Sequence, residues 1–134
     1  MRATKIVTCF IINEDKILIL KRSDKVKSMK GLWAGVSGII EKDEHPLARA
    51  KREIFEEVGL HEGQIKLLKS EKEMSIVSPQ YKNHEWLVFP FLFSAENPTI
   101  RLNWENSDYR WISVNEIKNF ETVPSLDKVL FNLL

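Results

Sequence analysis

Residues 38–60 read GIIEKDEHPLARAKREIFEEVGL, a stretch that carries both a helix and a cluster of carboxylates. Pro46 suits the first position of a helix and Gly59 the stop after Val58, so a helix is predicted between them. Along it Leu47, Ala50, Ile54 and Val58 lie within about 40° of one direction, a stripe that must face a core. Glu53, Glu56 and Glu57 crowd an arc of about 100° beside that stripe. Like charges three and four residues apart weaken a helix. Carboxylates held together at that cost suit a hard divalent cation such as Mg²⁺, which takes oxygen ligands. Their place at the edge of the apolar stripe puts them where the helix meets a sheet.

Working outward, Lys5 to Ile12 is apolar and β-branched, Asn13-Glu14-Asp15 is a turn signal, and Lys16 to Leu20 alternates. Together they predict a hairpin. Gly31 to Ile40 carries Leu32, Trp33, Val36 and Ile39 among glycines and reads as a bent or bulged strand. Ile65 to Val77 and Glu85 to Ser94 read as two more strands. Pro90 in the second argues for an edge position or a bulge. Tyr109 to Ile112 is a short strand, Ser113 with Glu116 a capping box opening a helix near Val114 to Phe120. Ser125 to Leu134 is a closing helix with Leu126, Val129, Leu130 and Leu133 inward. Strands in runs with a few helices give an α+β fold with a mixed sheet.

With 134 residues, 43% of them hydrophobic and 29% charged, one domain spanning residues 1–134 is expected. A net charge of +1 leaves no basic footprint for nucleic acid. No apolar run approaches a membrane span and no signal-peptide pattern precedes the first strand, so no membrane partner and a cytoplasmic location are expected. Cys9 is the only cysteine and reads as a small buried hydrophobe.

Gly38, five residues, Glu44, seven residues, then Arg52-Glu53-Ile54-Phe55-Glu56-Glu57-Val58-Gly59-Leu60 matches the Nudix box at every defining position. Seven fixed identities at average residue frequencies arise by chance on the order of once in 10⁸ to 10⁹ placements. The chain therefore resembles a Nudix hydrolase. The resemblance implies an α/β/α sandwich, a Nudix fold with a mixed β-sheet between helices, and Mg²⁺ at the box with Mn²⁺ as a substitute. It implies a pyrophosphohydrolase that splits the diphosphate linkage of a nucleoside diphosphate joined to a group X, using an activated water. The substrate would be a nucleotide, a dinucleoside polyphosphate or a nucleotide sugar, and the protein a monomer or homodimer.

Carried over residue by residue, the resemblance makes Glu56 and Glu57 principal metal ligands and Glu53 a further one, with the carbonyl near Gly38 adding an oxygen. Arg52 and Glu44 would pair with the cluster or with each other and hold the carboxylates in place. For the catalytic base the family uses either a box glutamate or a later loop carboxylate. Glu105 in RLNWENSDYRW fits the second case, with Asp108 behind it; a surface acid is the plain alternative for either.

The stretch IRLNWENSDYRWI is similar to diadenosine tetraphosphate hydrolases. VTCF, KRSDKV, GLWAGVSG and TVPSL resemble archaeal Nudix domains associated with ribose-1,5-bisphosphate-isomerase-like proteins. Neither likeness names a substrate. Val36-Ser37-Gly38 stands where many members have Pro-Gly-Gly, so the pattern of enzymes that cleanse nucleoside triphosphates is not supported.

Trp33, Tyr81, Trp86 and Trp104 are candidates to stack a base, or they pack as core and rim. Arg22, Lys21 and Lys30 are candidates for phosphate contacts, or plain surface charge. His45 and His84 are possible general acids, although His45 at a helix start reads as a bystander; His61 follows the helix end and favours its negative pole. Two other classes compete with the hydrolase. One is a Nudix sensor that binds a nucleotide without cleaving it, although such modules have eroded boxes. The other is the isopentenyl diphosphate isomerase branch, which needs an active-site cysteine, and Cys9 lies far from the box in sequence.

Overall fold

The computed structural model describes residues 2–78 and 82–134. The hairpin forms as β1 (Arg2–Asn13) and β2 (Lys16–Arg22), joined at Glu14-Asp15. The two strands pair only beside the turn, Ile12 with Ile17 and Asn13 with Lys16. Beyond that they diverge, and the Gly-rich stretch fills the gap as β3 (Trp33–Ala34) against β2 and β4 (Val36–Ile39) against β1. Gly35 marks the break: a Cβ there would lie 2.8 Å from the Cys9 carbonyl oxygen.

The helix α1 (Pro46–Val58) follows, with Pro46 in its first turn and Gly59 at φ 78° closing it. That left-handed φ is what a glycine stop provides. Ala50, Ile54 and Val58 are fully buried and Leu47 packs beside them. Each large apolar side chain so buried contributes about 1.5–3 kcal/mol.

The later strands are β5 (Lys66–Ser70), β6 (Met74–Ile76), β7 (His84–Ser94) and β8 (Asn106–Ser113). The path through the sheet is β3-β2-β1-β7-β5, with β4 on β1, β6 on β7 and β8 on β2. β1 and β7 run parallel over their whole length, from Arg2 beside His84 to Ile12 beside Ser94. The other pairings are antiparallel, so the sheet is mixed.

Alternate strand residues face opposite ways. Val7, Cys9, Ile11, Leu18 and Leu20 pack towards α1, while Phe10, Ile17 and Ile19 pack towards the closing helix α2 (Leu126–Asn132). Both faces are covered, which explains why β1 and β2 read as continuous apolar runs. The expected inward set of α2, Leu126, Val129, Leu130 and Leu133, is buried.

Two local expectations are corrected. Pro90 lies neither on an edge nor at a bulge of its own strand: β7 has β1 on one side and β5 and β6 on the other. The Pro90 carbonyl accepts from Glu71 N–H at 3.4 Å, and a residue's N and C=O point to the same side of a strand. Its missing N–H therefore faces residues 71–73, where the neighbouring strand is interrupted. That interruption is also why Ile65 to Val77 forms two strands. The helix expected near Val114 to Phe120 forms over Val114–Asn119, as a 3₁₀ helix. The Ser113 N–H still donates to Glu116 Oε1 at 2.8 Å. Six residues including Val114, Asn115 and Asn119 hold too little α propensity to go further.

Candidate active site

α1 packs across β4, and Gly38 lies under Glu53. The three atoms nearest a Cβ built on Gly38 all belong to the Glu53 side chain, which such a carbon would overlap. The glycine is thus required by a side chain that crosses over it. Glu53 and Glu57 are 6% and 3% exposed, which is rare for carboxylates.

Glu105 comes from the loop before β8. Asn103 holds it, accepting from the Glu105 N–H at 3.0 Å and donating to Glu105 Oε1 at 3.1 Å. The loop is fastened to the end of β2, where Ser23 donates its N–H to the Glu105 carbonyl at 2.8 Å and its hydroxyl to the Trp104 carbonyl at 2.7 Å.

One ligand atom each from Glu53, Glu57 and Glu105 falls within 4.8 Å of the others, the group that the sequence could not assemble. Glu56 lies outside this trio. Its Oε1 accepts from Arg52 Nε at 3.0 Å on the exposed side of the helix, though it lines the same cavity. Glu44 pairs with Arg49 and not with Arg52: Nε and Nη2 of Arg49 reach its two oxygens at 2.6 and 3.0 Å, while Nη1 reaches Glu53 Oε2 at 2.9 Å. Glu57 Oε1 accepts from Asn106 Nδ2 at 3.0 Å.

Burial pushes the Glu57 carboxyl well above the usual range; the Glu105 charge adds to this and the Asn106 donor opposes it. Glu53 is raised by burial against the lowering pull of Arg49. Glu44, held by Arg49, is lowered. Burial raises the Cys9 thiol, as do the charges of Glu57 and Glu53 lying over β1.

Among the described residues Glu57 Oε2 is a buried side-chain oxygen with no hydrogen-bond partner. Such an orphan is costly. Three converging carboxylates, one of them carrying an unsatisfied buried oxygen, fit a hard divalent cation.

A cavity of about 530 Å³ opens beside Glu53 and Glu105 of this group. Arg49, Glu53, Glu56 and Glu105 line it together with apolar side chains such as Val88 and Leu126. Trp86 and Trp104 are in its wall, Trp104 60% exposed. Trp33 is buried edge-on against Phe120 at 5.3 Å and is core. Tyr81 lies outside the described residues. Arg22 lines the cavity with Nε and Nη2 donating to the Ser28 carbonyl at 3.2 and 3.0 Å. Lys21 pairs with Trp33 in the sheet, and Lys30 is exposed in the preceding loop.

The histidines have structural contacts. His45 caps α1 by accepting from Leu47 N–H at 3.2 Å, His61 rests against Phe55 at 5.0 Å, and His84 Nε2 meets Thr4 Oγ1 at 2.9 Å. Asp108 is partly exposed on β8, where it accepts from Tyr109 N–H.

The model of the NUDIX domain matches residues 2–133. The chain belongs to the NUDIX family. As a Nudix hydrolase it has relatives named for acting on phosphoric anhydrides. A dihydroneopterin triphosphate diphosphatase of Haemophilus influenzae is 27% identical over 141 aligned positions, 96% of this chain and 87% of that protein. Among solved structures, the MutT protein of Methanosarcina mazei Go1 has a TM-score of 0.76 at 23% identity, covering 98% of this chain and 91% of its own. A C. elegans Ap4A hydrolase in a binary complex has a TM-score of 0.78 at 17% identity, covering 96% and 93%. These likenesses show the Nudix fold, the α/β/α sandwich expected from the sequence. Among the described residues no helix is long and apolar enough to cross a membrane.

Arg49, Asn106, Asn103 and Ser23 were not singled out from the sequence. Arg49 to Glu53 is an i,i+4 pair and was legible in principle. Asn106 and Ser23 act across 49 and 82 positions and leave no local signal.

Proposed function

We propose that this Nudix hydrolase is a metal-dependent pyrophosphohydrolase that cleaves the diphosphate linkage of a nucleoside diphosphate joined to a group X. The observation that carries the reading is the meeting of Glu53, Glu57 and Glu105, with Glu57 Oε2 orphaned and with Glu53 and Glu105 lining a cavity of ligand size. Glu53 and Glu57 would hold Mg²⁺ or Mn²⁺, with Glu56 and the carbonyl near Gly38 as further oxygens, and Glu105, beside them, would be the base. Bound there, such an ion would supply the charge that neutralises the diphosphate and polarises its P–O bonds.

The chain's own residues do the rest. Water attack in line at phosphorus is chiefly a matter of positioning and charge stabilisation. Asn103 engages Glu105 Oε1, so Oε2 is the oxygen left to take a proton from the attacking water. Trp104, 60% exposed in the cavity wall, offers a face to a planar base, a good stack contributing about 1–3 kcal/mol. The relatives' names mention a pterin triphosphate and a dinucleoside polyphosphate, both of which join a flat ring to a phosphoanhydride. That shared chemistry fits a cavity with aromatic and carboxylate walls.

The test is a panel of nucleoside triphosphates, dinucleoside polyphosphates, nucleotide sugars, ADP-ribose, NADH and dihydroneopterin triphosphate, assayed with Mg²⁺, with Mn²⁺ and with a chelator. Release of a monophosphate product from at least one class, abolished by the chelator, is expected. Tight nucleotide binding without turnover under either ion would make the protein a sensor and overturn the proposal.

A further inference from the structure

The two arginines of α1 share a charge and little else. The Arg52 side chain is 62% exposed and makes a single ion pair with Glu56. Arg49 is 8% exposed and commits three of its nitrogens to two carboxylates. Glu44, at one end, is itself anchored, because its Oε1 also accepts the Glu41 N–H at 3.0 Å. Glu53, at the other end, is held through Oε2 and lies over the bare Cα of Gly38. A planar guanidinium gripped on one edge by a bidentate carboxylate fixes the angle at which its remaining edge presents.

We propose that Arg49, and not Arg52, is the positioning residue of the carboxylate group. It ties Glu53 to the loop before α1 through Glu44 and leaves Glu53 Oε1 outside the clamp to serve the cation. The inference rests on reading Glu53 and Glu57, beside Glu105, as a cation site. The helix position that the resemblance marks for this work, Arg52, is turned to solvent, and the adjoining turn supplies a different arginine for it. Arg49 touches no reacting atom in this role; it acts through Glu53.

Mn²⁺ alone is the probe, its free concentration followed by electron paramagnetic resonance at neutral pH in wild type, Arg49→Ala, Arg49→Lys, Glu44→Gln and Arg52→Ala. The sign of the change is informative. Removing a positive charge near a cation site by itself tightens cation binding. Losing the clamp weakens it, by about 10- to 100-fold for partners of this kind.

Expected are a loss in that range for Arg49→Ala, a smaller loss for Arg49→Lys, which keeps the charge without the fork, and weaker binding in Glu44→Gln, which loosens the clamp from its far end. Arg52→Ala should cost at most about a fifth as much, as its exposed pair is screened. Unchanged or tighter binding in Arg49→Ala would overturn the assignment, as would an equal loss in Arg52→Ala. Should Arg49→Ala fail to fold, the Lys and Glu44 variants decide it: wild-type affinity in both refutes the clamp. No Mn²⁺ binding in the wild-type chain would overturn the cation site itself, a result distinct from the others.

Discussion

Gly38→Ala is the sharpest probe of how the site is packed. Gly38 does not have a positive φ, so alanine suits its backbone. The added methyl meets the Glu53 side chain within 3.0 Å, a separation real Cβ atoms do not adopt. Glu53 must swing away and give up its 2.9 Å bond to Arg49. Overpacking of this kind costs about 1–3 kcal/mol. At about 2.1 cal/mol/K per residue the unfolding entropy of a chain this long is roughly 0.28 kcal/mol/K, so Tm should fall by about 4–11 °C.

The cause can be isolated with a double-mutant cycle against Glu53→Ala, followed by thermal melts of the metal-free protein. Without the Glu53 side chain the methyl has room, and losing a glycine from the unfolded chain favours folding by about 0.4–1 kcal/mol. Gly38→Ala should then be neutral or slightly stabilising, giving a coupling of about 1–4 kcal/mol. An equal loss in both backgrounds would show that Gly38 serves the backbone and not Glu53.

Other outcomes follow from the same geometry. Glu105→Gln should lower turnover about 10²-fold or more if Oε2 takes the proton, and an unchanged rate would make Glu105 a surface acid. In the metal-free protein Glu57 and Glu53 have raised folded pKa values, so the protonated forms favour the fold. Their contribution is fully present below the ordinary carboxylate value of 4.5 and is lost as pH rises through the raised folded values. Tm should therefore fall from weakly acidic to alkaline pH in the presence of chelator, and Glu57→Gln should flatten that slope; a slope unaltered in Glu57→Gln would contradict it. Cys9, buried with a raised pKa, should resist alkylation until the protein unfolds; labelling of the native protein would contradict its burial.

The sequence spoke clearly wherever the determining interactions were local. Pro46, Gly59 and the Leu47 to Val58 stripe define α1 within a single turn-by-turn period, and Gly38 with the glutamates marks the site on it. Legibility failed where partners are distant. Pro90 looks like an edge residue until residues 71–73 are seen to leave a gap beside it. Glu105 was visible as a candidate, yet its union with Glu53 and Glu57 depends on β8 pairing with β2 and on Ser23 holding the loop. Arg49 was passed over because the box draws attention to Arg52. Spacing on a helix tells which residues share a face, and burial decides which of two arginines the carboxylates keep.

If these carboxylates serve hydrolysis of a phosphoanhydride, altering them must stop it. The most direct measurement compares Mg²⁺-dependent monophosphate release by wild type, Glu57→Gln and Glu56→Gln, each shown to be folded by circular dichroism. Turnover is expected in wild type and its loss in both variants, since an amide is a weak ligand and a poor base. Near-normal activity in both at saturating Mg²⁺ would place the chemistry elsewhere.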